Sequence, residues 1–232
     1  MVILVESCEM EKTMKDVYDY AKFFIKKGLD STPNTYDGNM KLQKLLLFAN
    51  LISIAEGNGQ LFSEKILAYK NGCVVEKVRL RYKNDYLGLK EDSDLFNPDF
   101  SQSEYEILKK TIDIFGDATA VELSEINHTF DFWKNAYDNS KLANGNYNQC
   151  LAVVNLSDIE KEIDRIKLIL QAYEDTQDES NHYEIINGVT YYYEPNEIQL
   201  TDDVIEELER FSLEAEDETY SIYMDDGEMV IY

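Results

Sequence analysis

The sequence predicts a mainly helical α+β protein, with a compact helical domain of about six helices over residues 1–173 and an acidic ββαββ unit over residues 182–232. Three observations predict it. Apolar residues recur with helical period through most of the first part, two hairpin-like runs flank an amphipathic stretch in the tail, and a step in charge separates the two. The formal charge is −24, from 22 Lys+Arg and 46 Asp+Glu. Residues 174–232 hold 19 acidic groups and one basic one, Arg210, so they carry 1 − 19 = −18. EDTQDESN, residues 174–181, reads as a polar linker at that step.

The elements follow in order. Lys12 to Lys27 places Val17, Tyr20, Ala21, Phe24 and Ile25 at helical spacing, and Gly28 reads as the stop. Asp37-Gly38-Asn39 reads as a break before MKLQKLLLFAN, Met40 to Asn50, in which Leu42, Leu45, Leu46, Ala49 and Ile52 form one face. Leu47, Phe48 and Leu51 widen that face, which predicts a helix buried on most sides. GNGQLFSEKILAYKNG reads as a turn, a short extended piece and a second turn, before a helix from about Val75 to Lys83. Ser101-x-x-Glu104, Thr119-x-x-Glu122 and Ser157-x-x-Glu160 each read as a capping box, whose side chains satisfy free backbone donors at a helix start. In the tail, YEII and VTYYYE flank Asn187-Gly188, whose residues tolerate the positive φ of a tight hairpin. Val204, Ile205, Leu208 and Phe211 share a helical face, and YSIYM-DDG-EMVIY reads as a second hairpin.

Charge and composition exclude some classes of function. A chain with 44% hydrophobic and 12% aromatic residues can bury a core. Its charge repels nucleic-acid phosphates and anionic membranes and attracts a basic protein. The N-terminus MVILVESCEMEK lacks the basic and long apolar regions of a signal peptide, and no run approaches the ~18 apolar residues of a membrane span. The expectation is a cytoplasmic protein without membrane contact. Cys8, Cys73 and Cys150 are odd in number and widely spaced, so they read as idle or buried thiols in a reducing compartment.

No catalytic, metal or cofactor motif stands out. The two histidines, His128 and His182, lack metal-ligand spacing to a cysteine. Gly57-Asn58-Gly59 begins like a dinucleotide fingerprint, but Phe62 occupies the third glycine position, and the stretch reads as a turn. Cys73 and His128 are open both to a triad with an acid and to packing roles as a thiol and a structural histidine. Asp225 with Asp226, and Glu216 to Glu218, lack the alternating spacing of a calcium loop and read as a solvated acidic face. The expectation is a protein without catalytic residues, metal or cofactor.

Four ordered pieces resemble one family. Lys41-Leu42-Gln43-Lys44-Leu45-Leu46-Leu47-Phe48-Ala49 resembles the KLQKLLYFA signature of the Panacea domain, the antitoxin domain of many bacterial and phage toxin–antitoxin pairs. Gly59 to Phe62 with Glu64 to Tyr69, the turn Asn71-Gly72-Cys73-Val74-Val75, and TAVELSEINHTFDFW from Thr119 to Trp133 follow in that family's order. The resemblance spans about Met14 to Leu142. It implies a compact helical Panacea-like domain whose motif residues are Lys41, Leu42, Gln43, Lys44, Leu45, Phe48, Ala49, Tyr69, Gly72, Val74, Glu122, Leu123, His128 and Trp133. Two departures stand out: Cys73 where proline is usual, which removes a fixed φ from the turn, and Tyr69 where Trp is frequent.

Read physically, Leu42, Leu45, Leu46 and Ala49 are core, and Gly72 is a backbone requirement. Lys41, Gln43 and Lys44 fall on the polar side, open to solvent or to a partner. His128 and Trp133 are expected to tie a helix end to the core through buried hydrogen bonds.

The resemblance implies an antitoxin that neutralises a cognate, basic protein toxin by direct complex formation. Tyr191, Tyr192, Tyr220 and Tyr223 are expected to offer contact area, and Glu206, Glu207 and Glu209 to steer encounter. Against this stands a tail whose tyrosines half face their own helix and whose charge only confers solubility. Rival readings are an adaptor antitoxin that delivers its toxin to a Clp-type protease, an acidic phage protein that mimics nucleic acid and blocks a defence factor, and, last, a hydrolase built on Cys73 or His128.

Overall fold

The computed structural model describes residues 14–178, 182–195, 197–215, 217–225 and 228–232. They divide into two compact units, Met1–Leu170 and Gln171–Tyr232. Cys8, Glu216 and the Asp226-Gly227 part of the second hairpin turn lie outside the described residues.

The first unit begins with α1, Val17–Lys26, capped by Asp16, whose carboxylate accepts from Tyr18 N at 2.9 Å. Its predicted face is fully buried. Gly28, at φ +73°, ends it, and Leu29 N closes back on Phe24 O at 3.0 Å. α2, Tyr36–Ala55, starts earlier than the sequence suggests, with Asp37-Gly38-Asn39 inside its first turn. Thr35 caps it by accepting from Gly38 N at 3.1 Å. A Cβ on Gly38 would lie 2.6 Å from Asp30 O and closer still to Thr32 O, so this glycine serves a close backbone approach rather than a chain break.

A hairpin of β1, Ile66–Tyr69, and β2, Gly72–Val75, follows, with Tyr69 opposite Gly72. Val153 bridges to Leu67 on the other edge of β1. Then come α3, Glu76–Asn84; α4, Tyr86–Leu95; α5, Gln102–Phe115; α6, Ala120–His128; and α7, Asp131–Asn139. α8, Glu160–Asp178, runs across the division between the units. α2 is the hub. It packs against α1, α3, α5, α6 and β2, and every residue from Lys41 to Ser53 is buried. A helix enclosed on all sides has no polar stripe to reveal it, which is why its apolar residues spread around the axis.

The capping boxes at Ser101–Glu104 and Thr119–Glu122 are both formed. The one at Ser157 is not. Asn155 Oδ1 accepts from Ser157 N at 3.0 Å and bonds Ser157 Oγ at 2.8 Å, a local turn that removes the serine from capping. The helix instead starts from Ile159, whose carbonyl accepts from Ile163 N. α4 and α7 bring the helices ahead of the tail to eight among the described residues, against about six expected. YLGLKEDSDL and DFWKNAYDN are short and bury few apolar side chains, Tyr86 with Leu89 and Phe132 with Ala136, so they depend on neighbours.

The second unit contains β3, His182–Ile186; β4, Val189–Tyr193; α9, Asp202–Ser212; β5, Thr219–Asp225; and β6, Glu228–Ile231. The strand order is β3-β4-β5-β6, with β4 and β5 parallel and the outer pairs antiparallel. α9 is the crossover that a parallel pair requires. Asn187 and Gly188 take φ +52° and +86°, the two positive values of a tight hairpin turn. Ile186, Val189, Tyr191, Ile198, Leu208 and Ile222 form its core.

Candidate functional site

The residues singled out in the first unit converge on the β1–β2 turn. From α2, Lys44 Nζ donates to Cys73 O at 3.0 Å, and Gln43 Oε1 accepts from Val75 N at 2.8 Å. From α6, Asn127 Oδ1 accepts from Cys73 N, and Ser124 Oγ donates to Asn71 O at 2.8 Å. From α7, Trp133 Nε1 donates to Tyr69 O at 2.9 Å. Side chains from three helices thus bond the backbone of Tyr69, Asn71, Cys73 and Val75, satisfying polar groups that a two-stranded ribbon leaves unpaired.

Gly72 sits at the centre, at φ +99°. A Cβ there would lie 2.7 Å from Lys44 Cε and closer to Asn127 Oδ1, so glycine is required both for conformation and for space. Cys73 provides the N–H that Asn127 accepts, a donor that proline would lack, so its departure from the family pattern is matched by a specific hydrogen bond.

Two expectations are corrected. Lys41, Gln43 and Lys44 do not form a solvent-facing polar side, since all three are buried. Lys41 Nζ donates to Gly116 O at 2.6 Å, and the long lysine stems carry their charges inward to carbonyls rather than out to water. His128 is exposed. Its ring lies tilted against Trp133 with centroids 4.1 Å apart and bonds the Lys70 backbone, and the buried polar anchor is its neighbour Asn127. Leu42, Leu45, Phe48, Ala49 and Leu123 are core, Val74 is buried, and Glu122 is an exposed member of its capping box.

The electrostatics of the turn follow from burial. Desolvation draws Lys44 down to about 8 and pushes the Cys73 thiol up to about 11. A thiol with that bias is the reverse of an activated nucleophile. His128, although exposed as a residue, is lowered by partial desolvation of its ring and then by the Lys44 charge. Among the described residues no group of three His, Cys, Asp or Glu could hold a metal ion, and no helix is long and apolar enough to cross a membrane.

A cleft of about 480 Å³ opens beside the turn, between the start of α2, the hairpin and α3. Lys44, Lys70, Arg79 and Lys83 line it together with Tyr36, Tyr69 and Tyr82. Sequence reasoning missed it. The available signal was the run from Lys70 to Lys83, with five basic residues and one acidic, net 5 − 1 = +4 in a chain of −24.

In the second unit the tyrosines divide. Tyr191 is fully buried under α9, its hydroxyl donating to Leu208 O at 3.2 Å and lying 2.7 Å from Ser212 Oγ, so it is no contact residue. Tyr220 packs edge-on to Phe211 on the same side. Tyr192 pairs with Tyr183 on the opposite face, which Ile185 and Tyr223 share by strand alternation and register. Tyr183, Ile185 and Tyr223 are exposed there, and Glu206, Glu207 and Glu209 are exposed on α9.

The first unit is thus a helical domain organised around a buried, polar-clamped hairpin. Residues 42–134 match the model of a family described as Antitoxin SocA-like, Panacea domain. Residues 42–134, from within α2 through Trp133 and just beyond, are thus similar to a SocA-like Panacea domain, and that similarity supports an antitoxin role in general terms, with a toxin as the partner. No match was found among curated proteins or among solved structures.

Proposed function

We propose that this protein is an antitoxin that neutralises a cognate toxin by forming a direct complex with it, and that the acidic unit over residues 182–232 supplies contacts specific to that toxin. The observation that supports this is the pair of exposed faces in that unit. One sheet face presents Tyr183, Ile185, Tyr192 and Tyr223, and α9 presents Glu206, Glu207 and Glu209. Tyrosine offers rigid, amphipathic contact area, and a field of carboxylates accelerates encounter with a basic partner and rejects acidic ones. The family match supports the partner being a toxin. The Panacea unit serves as the rigid scaffold.

The test is co-expression with the product of the adjacent open reading frame, read as growth rescue and as a purified complex. Tyr192→Ala with Tyr223→Ala is expected to weaken the complex, and Glu206→Lys with Glu207→Lys and Glu209→Lys to slow its formation and lessen its salt dependence. Full neutralisation by both variants would remove the acidic unit from the mechanism. A toxin that disappears only in cells with a Clp-type protease would mark an adaptor instead.

A further inference from the structure

The cleft beside the hairpin turn has a charge opposite to that of the protein. Lys44, Lys70, Arg79 and Lys83 line it and no carboxylate does. Arg79 is neutralised by Glu76, which it binds through Nε at 2.6 Å and an Nη at 2.7 Å. Asp30 stands behind the wall, held by the hydroxyls of Tyr82 at 2.7 Å and Tyr86 at 2.9 Å. That leaves three lysines, none of which forms an ion pair among the described residues.

Lys44 is the informative one. Its side chain is fully buried and its ammonium has three donors, yet its one hydrogen-bond partner among the described residues is Cys73 O. Taking a charge out of water without a counter-charge is costly, and the cleft is the side from which an anion can reach it. Lys70 and Lys83 are exposed at the same cleft. The aromatic part is equally specific. The Tyr69 ring is already covered by Arg79 and by Tyr147, whereas Tyr36 is 67% exposed, its hydroxyl held at 2.7 Å by Asn71 Nδ2. The volume falls in the range of small-ligand sites, roughly 300–1,000 Å³.

We propose that this cleft binds a small phosphorylated ligand of nucleotide size, its phosphates between Lys44, Lys70 and Lys83 and its planar ring on Tyr36. The lysines act as compact point charges for phosphate, and the tyrosine face accepts a ring by stacking. This site is separate from the faces assigned to toxin contact, so it stands whether or not that assignment does.

The experiment is calorimetric titration of the full chain with ADP, GDP, pyrophosphate, and adenosine as a neutral control. The nucleoside diphosphates are expected to bind, more weakly as salt rises, with pyrophosphate weaker and adenosine undetected. The exposed pair Lys70→Glu with Lys83→Glu should lower affinity at least about tenfold while leaving the thermal unfolding midpoint unchanged. Tyr36→Ala should erase the advantage of ADP over pyrophosphate. No heat with any phosphate at millimolar concentration would overturn the proposal. So would equal binding by the doubly substituted chain, or binding of an acidic peptide in preference to the diphosphates.

Discussion

The two units handle charge in opposite ways. The helical unit carries Lys41 and Lys44 into its interior, where each donates to a backbone carbonyl, Lys44 to that of Cys73 in the hairpin. Among the described residues the acidic unit keeps its carboxylates on the outside, around a core of six buried residues. A large apolar core can offset the desolvation of a few charges, whereas a small one cannot. The difference teaches where each unit is vulnerable. The first should fail at its polar clamp, and the second at its few apolar contacts.

The largest expected effect is in the acidic unit. Leu208→Ala removes one of six core side chains and should cost roughly 2–5 kcal/mol, enough to unfold a unit of this size. Hydrogen exchange should then show β3 to β6 unprotected while α2 remains protected; parallel loss of both would break the comparison. Gly72→Ala comes next, at roughly 3 kcal/mol, because the new Cβ meets both strain and the Asn127 and Lys44 side chains. Chemical denaturation of the first unit reads it directly. Asn127→Ala leaves the Cys73 N–H unsatisfied in the interior, for about 1–3 kcal/mol.

The smallest effect is a slope with pH. The folded pKa of Lys44 lies below its unfolded value of 10.5, at about 8, so the unfolded chain binds more protons between those values and Lys44 makes stability rise across that window. Cys73 acts oppositely, since its folded pKa of about 11 lies above 9.0, and its contribution is lost as pH rises through 9 to 11. The clean interval is therefore pH 8 to 9. There the difference in stability between the wild type and Lys44→Met should change by about 1 kcal/mol, the wild type gaining. A flat difference would mean that the ammonium is compensated in the free protein.

Much of the fold was legible. The buried face of α1, the all-round burial of α2, two capping boxes and the Asn187-Gly188 turn follow from local chemistry, because each depends on residues within a few positions of one another. The motif residues were legible as a set, yet their roles were not. Lys44, Gln43 and Asn127 act 29, 32 and 54 positions away in sequence, at Cys73 and Val75. A lysine beside leucines reads as surface unless the distant acceptor is known. Gly38 looked like a chain break because its partners, the Asp30 and Thr32 carbonyls, come from a neighbouring loop.

The sequence by itself determined a mainly helical α+β fold with acidic strands toward the C-terminus, since periodicity, capping and charge are properties of short stretches and of sums. Tertiary structure alone decided which lysines are buried, which tyrosines face α9, and that four cations share one cleft. Those outcomes depend on alternation and packing across elements far apart in the chain, where a shift of one residue in a strand turns a contact residue into core.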